Sequence, residues 1–164
     1  MTTASTPTDR GFTLTRTLNA PRATVWRAWT DPAELVWFLN PGAAAPNEPI
    51  SVDLRVGGAF RVHMIINDDL DYVTGGIYRE IVPVERLVFE WGAVGGWPDL
   101  DPTKPDDAPL TVLEFTEAGP DTTEMSLRVA FPDSMPDARA AEWLTTGMHE
   151  GWSMTIDRLV EQLA

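Results

Sequence analysis

The 164-residue sequence predicts a single α+β domain, in which an antiparallel sheet of about six to seven strands packs against a long C-terminal helix, with two short helices after the first strand. Three observations favour this class. Seven segments alternate apolar and polar residues, which is the period of half-buried strands. Short turn-like connections such as NDDLD and GPD separate most of them, as in an antiparallel meander. The last segment repeats its apolar residues every three or four positions, as a helix does.

The N-terminal part contains the first strand and both short helices. Residues 1–10 are rich in Thr and are predicted to form a disordered tail, so that the domain spans residues 11–164. The first strand is FTLTRTL, because apolar residues alternate with threonine. NAPRATVWRAW carries Pro21, which suits a first helical turn. TDPAELVWFLNPG carries Asp31 as N-cap and Glu34 three residues later, which predicts the second helix.

Six further strands are predicted before the C-terminal helix. The strand-like segments are ISVDLRV, GGAFRVHMII, YVTGGIYREIV, ERLVFEWG, LTVLEFTEA and TTEMSLRVAF. The connection from Ala93 to Pro109 is long for a compact domain, and loops of this length are typically lids or binding loops. We therefore expect Trp97, in the middle of this loop, to act as a lid residue.

The last helix is predicted as one continuous rod. Ser134, Pro136 and Asp137 provide its start signals, and the apolar periodicity continues to Leu163. At 1.5 Å per residue such a helix is on the order of 40 Å long, which is enough to cross a sheet.

Two glycines lie inside this predicted helix, at Gly147 and Gly151. Each costs about 1 kcal/mol relative to alanine, because glycine loses more backbone freedom on folding. Trp143 and the two glycines fall on one row, since residues four apart align on a helix, and they predict a groove with an aromatic wall. In one interpretation the glycines allow close approach to a strand. In the other they leave space for a ligand beneath Met148 and Trp152.

The composition argues against several classes of partner. Twelve Lys and Arg against 25 Asp and Glu give a net charge of -13, which repels nucleic acids and anionic lipid surfaces. The chain contains no cysteine, so disulfides, thiol nucleophiles and thiolate metal sites are ruled out. The N-terminus has no signal-peptide pattern, and no run of about 18 apolar residues occurs. A cytoplasmic protein that does not span a membrane is therefore expected.

The sequence assigns no catalytic residue, metal ligand or cofactor. His149 precedes Glu150, and neighbouring helical residues point about 100° apart, so these two cannot form a dyad. His63 is expected on the outer face because Met64 faces inward. Ser153 is not part of a Gly-x-Ser-x-Gly turn. The glycine and glutamate of a calcium-binding loop are missing around the acidic residues Asp99, Asp101, Asp106 and Asp107.

Five segments occur in a recognisable order: NAPRATVWRAWTDPAELVWFL, VGGAFRVHM, GGIYREIVPVERLVFEW, LTVLEFTEAGPDTTEMSLRVAF and EGWSMTIDRLVEQL. Together they resemble the bacterial branch of the activator-of-heat-shock-protein-90-ATPase homologue family, within the START-like (SRPBCC) superfamily. The resemblance extends from Phe12 to the C-terminus. It implies a helix-grip fold, in which a curved antiparallel sheet wraps around the long C-terminal helix and encloses a cavity. Relatives include lipid and polyketide carriers, cyclases and a co-chaperone domain.

The primary hypothesis is that the protein binds a small hydrophobic molecule between the sheet and the last helix. Aromatic and methionine side chains suit such a site, because they are apolar and methionine adapts to varied shapes. Strand alternation and helical spacing predict the following ligand-binding residues: Met64, Tyr78, Phe89, Trp91, Trp97, Phe115, Met125, Leu127, Trp143, Gly147, Met148, Gly151 and Trp152.

Two further hypotheses stay open at this point. A cyclase or hydratase acting on a polyketide-like ligand would use Tyr78, Glu80 or Arg55 to polarise a carbonyl, and it requires a buried titratable group that faces the ligand. A co-chaperone-like domain that stimulates a heat-shock ATPase would place exposed aromatic residues such as Trp37 on a flat surface. The seven tryptophans are also compatible with a homodimer.

Overall fold

The computed structural model describes residues 11–39, 49–96, 99–101, 103 and 108–164. These residues form seven strands, three α-helices and one 3₁₀ helix. In chain order the elements are β1 (Gly11–Leu18), α1 (Arg22–Thr30), the 3₁₀ helix (Leu35–Phe38), β2 (Ser51–Val52), β3 (Ala59–Asn67), β4 (Leu70–Val82), β5 (Arg86–Trp91), β6 (Leu110–Gly119), β7 (Thr122–Ala130), α2 (Asp137–Leu144) and α3 (Met148–Gln162).

The seven strands form one antiparallel sheet in the order β1-β7-β6-β5-β4-β3-β2. Strands β2 to β7 follow one another as a meander. The first strand pairs with the last, from Gly11 opposite Ala130 to Leu18 opposite Thr123. The α+β class, the antiparallel sheet and the helix-grip architecture are therefore confirmed.

Strand β2 is shorter than the predicted ISVDLRV segment, because only Ser51–Val52 pair with β3. The chain then turns. The backbone N–H of Arg55 donates to the carbonyl of Asp53 over 2.9 Å, and that of Gly58 donates to the carbonyl of Arg55 over 2.8 Å. Gly57 has a φ of 87°, which glycine adopts at little cost. The chain therefore turns between Asp53 and Gly58 before it enters β3.

One face of the sheet, here called the inner face, carries the hydrophobic core. Alternate residues of the strands point to this face, as the period of two requires. Helices α1 and α3 and the 3₁₀ helix contribute the opposing side chains of the same core. The buried strand residues include Phe60, Val62, Met64, Tyr78, Leu87, Phe89, Leu113, Phe115, Met125, Leu127 and Val129.

The predicted continuous C-terminal helix is wrong, because the chain forms two helices that are separated at residues 145–147. The hydroxyl of Thr145 donates to the carbonyl of Glu142 over 2.7 Å, and that of Thr146 donates to the carbonyl of Trp143 over 2.6 Å. Gly147 has a φ of 83°. Threonine side chains that bond the local backbone compete with the helical pattern, and glycine accepts the left-handed conformation that ends a helix.

Helix α3 is attached to both sides of the core. The guanidinium of Arg16, on β1, donates to Asp157 Oδ1 over 2.8 Å and to Ser153 Oγ over 2.9 Å. On the other side, Arg158 Nη1 donates to the carbonyl of Phe38 over 2.9 Å. These contacts hold the helix in a defined position over the inner face.

Candidate functional site

A recess with a volume of about 60 Å³ lies between α3 and the inner face of the sheet. Such a volume holds a few water molecules or a small molecular fragment. Six of the nine lining residues are aromatic or methionine. The lining residues are Phe38, Met64, Tyr72, Thr74, Trp91, Met148, Gly151, Trp152 and Thr155.

The sheet side of the recess is built by β3, β4 and β5. Met64 pairs with Tyr72 across β3 and β4, so both side chains lie on the inner face. Thr74 follows Tyr72 by two residues and therefore points the same way. Trp91, at the end of β5, donates its indole Nε1 proton to Thr74 Oγ1 over 3.2 Å. This bond fixes the Trp91 ring beside the recess.

Gly151 forms part of the helix side of the recess. It is exposed, and a Cβ atom placed on it would meet no neighbouring atom within 4 Å. Any larger residue would extend into this open space. The absence of a side chain on α3 at this position therefore helps to create the recess.

Gly147 plays a different part. It is exposed, it lies in the break between α2 and α3, and it does not line the recess. The predicted groove along Trp143, Gly147 and Gly151 is therefore wrong. These residues do not share one helical row, because the helix is interrupted between the first and the last of them.

Trp152 contributes most of the aromatic contacts beside the recess. Its ring centroid lies 5.2 Å from that of Trp91, 5.8 Å from that of Phe38 and 6.3 Å from that of Trp29. Trp29 in turn contacts Trp37, with centroids 4.8 Å apart. Rings at these separations and angles pack favourably, and they form one rigid aromatic cluster.

The indole N–H groups of this cluster are bonded, with one exception. Trp29 Nε1 donates to Met125 Sδ over 3.3 Å, and Trp37 Nε1 donates to the carbonyl of Ala28 over 2.8 Å. Trp91 is bonded to Thr74, as described above. Trp152 Nε1 is buried and has no hydrogen-bond partner among the described residues. An unpaired buried donor is unfavourable, so this group favours any acceptor that reaches it.

Tyr72 and Arg158 give the recess an electrostatic character. Burial raises the pKa of Tyr72, while the charge of Arg158 opposes that shift. Burial lowers the pKa of Arg158, and Tyr72 opposes that shift. A partly buried cation therefore lies beside the recess of a protein whose net charge is -13.

Among the described residues, five of the predicted ligand-binding residues line the recess and seven do not. Trp143 lies on α2, where the guanidinium carbon of Arg139 is 4.8 Å from its ring centroid. Trp97 lies outside the described residues. The recess contains Met64, Trp91, Met148, Gly151 and Trp152. The fully or almost fully buried core away from it contains Tyr78, Phe89, Phe115, Met125 and Leu127.

Sequence reasoning missed four lining residues, at Phe38, Tyr72, Thr74 and Thr155. Two signals were available. The inward alternation that includes Tyr78 continues backward along β4 to Thr74 and Tyr72, and Thr155 lies one turn after Gly151 on α3. Phe38 has no comparable signal, because its place depends on how the 3₁₀ helix packs against α3.

The residues named for a cyclase do not meet at the recess. Tyr78 is fully buried, and its hydroxyl has no hydrogen-bond partner among the described residues, but it does not line the recess. Burial raises its pKa, and the charge of Asp53 adds to the shift, so the group stays protonated. Arg55 Nε lies 2.9 Å from Asp53, and Glu80 lies 3.2 Å from Arg86 Nε. None of these three residues lines the recess, so they provide no carbonyl-polarising group there.

The remaining polar candidates are engaged elsewhere. His63 Nε2 lies 2.7 Å from Asp71 Oδ2, and the His149 ring packs edge-on against Phe12 with centroids 4.9 Å apart. The two histidines thus have separate partners. In the part of the chain that the structure describes, no group of three or more His, Asp or Glu side chains is placed to hold a metal ion.

Trp37 does not provide the exposed aromatic surface expected of a co-chaperone-like domain. It is 5% exposed, and its indole is bonded to Ala28. No helix among the described residues is both long and apolar enough to cross a membrane.

Several solved structures share this fold. A Nitrosomonas europaea protein is 24% identical over 93% of both chains, with a TM-score of 0.68. A Rhizobium leguminosarum protein is 25% identical over 93% of both chains, with a TM-score of 0.62. An HSP90 activator from Plasmodium falciparum is 18% identical over 93% of this chain and 96% of that chain, with a TM-score of 0.59.

Sequence comparison identifies the family. No curated protein sequence matches the chain. A family model described as Activator of Hsp90 ATPase homolog 1-like protein matches residues 19–164, and this match confirms the resemblance seen in the sequence. Because the match covers most of the chain, the protein belongs to the family of Activator of Hsp90 ATPase homolog 1-like proteins.

Proposed function

We propose that this protein binds a small hydrophobic molecule in the recess between α3 and the sheet. The observation that carries the proposal is the open space beside Gly151, opposite Trp91 and Met64. Apolar and aromatic walls with a few polar groups are the usual composition of a ligand pocket. Burial of apolar ligand surface against these walls supplies the binding free energy.

The size of the recess limits the ligand. Its volume of about 60 Å³ is well below the range of roughly 300–1,000 Å³ that holds a drug-sized molecule. The recess therefore accepts a molecule of a few heavy atoms, or one end of a longer molecule whose remainder projects past Gly151, where α3 is exposed.

Gly151→Leu tests the proposal, because the new side chain would fill the space that the ligand needs. Binding can be followed by native mass spectrometry and tryptophan quenching with fatty acids, flavonoids, polyketides and small aromatic ketones. We expect the wild-type protein to bind members of this panel and Gly151→Leu to bind them at least tenfold more weakly, a change of about 1.4 kcal/mol.

Glu161→Leu is the matched control. It adds the same side chain to α3 at an exposed position that does not line the recess. We expect this variant to bind as the wild type does. Equal affinity of Gly151→Leu and wild type, or no binding by the wild type to any member of the panel, would contradict the proposal.

A further inference from the structure

Arg158, on α3, lies at the edge of the recess. Its Nη1 donates to the carbonyl of Phe38 over 2.9 Å, and its charge acts on the hydroxyl of Tyr72. Both of these residues line the recess, and so does Thr155, which lies one turn before Arg158 on the same face of α3. Arg158 is only partly buried. The cation therefore lies where the recess meets solvent.

A second arginine that contacts α3 shows what such a guanidinium can hold. Arg16, on β1, donates from Nη1 to the carbonyl of Thr15 over 2.9 Å. Its Nε donates to Asp157 Oδ1 over 2.8 Å, and its Nη2 donates to Ser153 Oγ over 2.9 Å. Arg158 likewise uses Nη1 for a backbone carbonyl, but its Nε and Nη2 have no partner among the described residues. These two atoms form an edge that can hold a carboxylate through two parallel hydrogen bonds.

The charge of Arg158 lacks a counter-ion among the described residues. The chain has 25 acidic residues, but none of those described forms an ion pair with this guanidinium. Glu161, one turn farther along α3, is exposed to solvent. A partly desolvated cation is unfavourable without a partner, and an anionic ligand would supply one. None of the nine lining residues is a carboxylate that would repel such an anion.

From this arrangement we propose that the ligand is an amphipathic carboxylic acid, whose carboxylate binds the Nε–Nη2 edge of Arg158 while its apolar end enters the recess beside Gly151. The inference rests on the proposed function and adds the chemical class of the ligand. Arg158 follows Gly151 by two helical turns on nearly the same face of α3, so the two residues are about 10 Å apart along the helix axis. A medium-length alkyl chain spans this distance.

Matched pairs of probes separate charge from shape. Octanoate and octanamide have the same chain and head groups of nearly the same size, as do hexanoate and hexanamide, but only the carboxylates are charged at pH 7. We expect each carboxylate to bind the wild-type protein about fivefold more tightly than its amide, between the effect of an exposed ion pair and that of a buried charged hydrogen bond. Calorimetric titration measures both affinities. Because the net charge of -13 disfavours anions in general, such a preference requires a local cation.

Arg158→Gln removes the charge and should abolish the preference, so that carboxylate and amide bind equally. The amide needs no cation, so its affinity for this variant reports whether the recess survives without the bond to Phe38. Arg158→Lys keeps the charge without the two-bond edge and should keep only part of the preference.

Arg27→Gln is the matched control. Arg27 lies on α1, is exposed and does not line the recess, and its replacement changes the net charge by the same amount. We expect this variant to prefer carboxylates as strongly as the wild type does.

The Nε–H signal of Arg158 in a ¹⁵N–¹H NMR spectrum reports the contact in the wild-type protein. Arg158→Gln removes this signal and thereby assigns it, whether or not the variant binds ligand. We expect octanoate to shift the signal downfield and octanamide to leave it nearly in place. The corresponding signal of Arg27 should move with neither probe.

The outcomes distinguish the two proposals. Amides that bind as tightly as carboxylates, with an unmoved Arg158 signal, would overturn the carboxylate chemistry and leave ligand binding intact. A preference that Arg27→Gln loses as fully as Arg158→Gln would also overturn it, because overall charge would then be the cause. If neither member of any pair binds and the broader panel of flavonoids, polyketides and ketones also fails, both proposals are wrong.

Discussion

Two regions of the inner face have similar side chains but pack differently. Around Met64 and Trp91 the sheet leaves a recess, whereas around Met125 and Leu127 it is filled. Met125 is fully buried, and its sulfur accepts the indole proton of Trp29. The residues that face the sheet explain this difference in packing. The Trp29 ring lies against Met125 in the filled region, whereas Gly151, which has no side chain, faces part of the region with the recess. Richness in aromatic and methionine residues therefore does not locate a cavity, whereas a missing side chain on the opposing element does.

The two glycines of the C-terminal segment sharpen this comparison. Both are exposed, and an added Cβ at either would meet nothing within 4 Å. Gly147 has a φ of 83° and is needed for the backbone turn between α2 and α3. Gly151 lies within α3, so its missing side chain affects the space and not the backbone. A glycine therefore points to a ligand-binding site only when its backbone conformation does not already require glycine at that position.

Replacing one methionine in each region by alanine gives the largest expected effect. Met125→Ala should lower the free energy of unfolding by about 3–5 kcal/mol, because it leaves a closed cavity and an unpaired Trp29 donor. Met64→Ala should cost about 2–3 kcal/mol, since it enlarges a space that already exists. Urea unfolding measures both values. Equal losses would show that the two regions are packed alike.

Gly147→Ala should lower the free energy of unfolding by about 1–2 kcal/mol, because an L-residue is strained in the left-handed conformation. Gly147→Asn should cost less, since asparagine tolerates this conformation better. Neither change should alter ligand affinity. Thermal or urea unfolding together with acetophenone titration checks the prediction, and a loss of affinity without a loss of stability would assign Gly147 to the ligand site.

Tyr78→Phe should raise the free energy of unfolding by about 1 kcal/mol at neutral pH, because it removes a buried hydroxyl that has no partner among the described residues. Burial raises the pKa of Tyr78 above its unfolded value of about 10. The stability that its protonated form contributes is therefore complete below about pH 10 and is lost as the pH rises further.

The gap between Tyr78→Phe and wild type should thus widen above pH 10, by at most about 1.4 kcal/mol per pH unit. Urea unfolding at pH 8 and pH 10.5 measures this gap. A gap that stays constant or narrows would show that the pKa of Tyr78 is not raised in the folded protein.

Gly151→Ala should have the smallest effect and the opposite sign to Gly147→Ala. Alanine fits the helical backbone and the open space, and it reduces the freedom of the unfolded chain, so the free energy of unfolding should rise by about 0.5–1 kcal/mol. Urea unfolding measures the change. A lower free energy of unfolding for Gly151→Ala would mean that other protein atoms already occupy the space beside Gly151.

The strand pattern could be predicted from the sequence because period-two alternation depends on local geometry and on burial of one face. It assigned Met64, Phe89 and Leu127 to the buried side of the sheet. The helix break was hidden, because the apolar periodicity resumes in phase after it. Its signal was the Thr145–Gly147 sequence, in which both hydroxyls bond the backbone of the preceding turn.

The candidate site was only partly predictable. Helical spacing placed Met148, Gly151 and Trp152 together, and the structure brings all three to the recess. Phe38 and Arg158 could not be assigned to it, because their positions depend on the contact between the 3₁₀ helix and α3. Long-range packing of this kind leaves no periodic signal in the sequence.

An acetophenone titration of the wild-type protein, followed through its indole N–H NMR signals, tests the central claim most directly. Trp91 and Trp152 line the recess, whereas Trp37 and Trp143 do not. Binding at the recess predicts that the signals of the first two move with a single saturating curve, while those of the other two stay in place. Saturable movement of the Trp143 signal alone, or no movement of any indole signal, would contradict it.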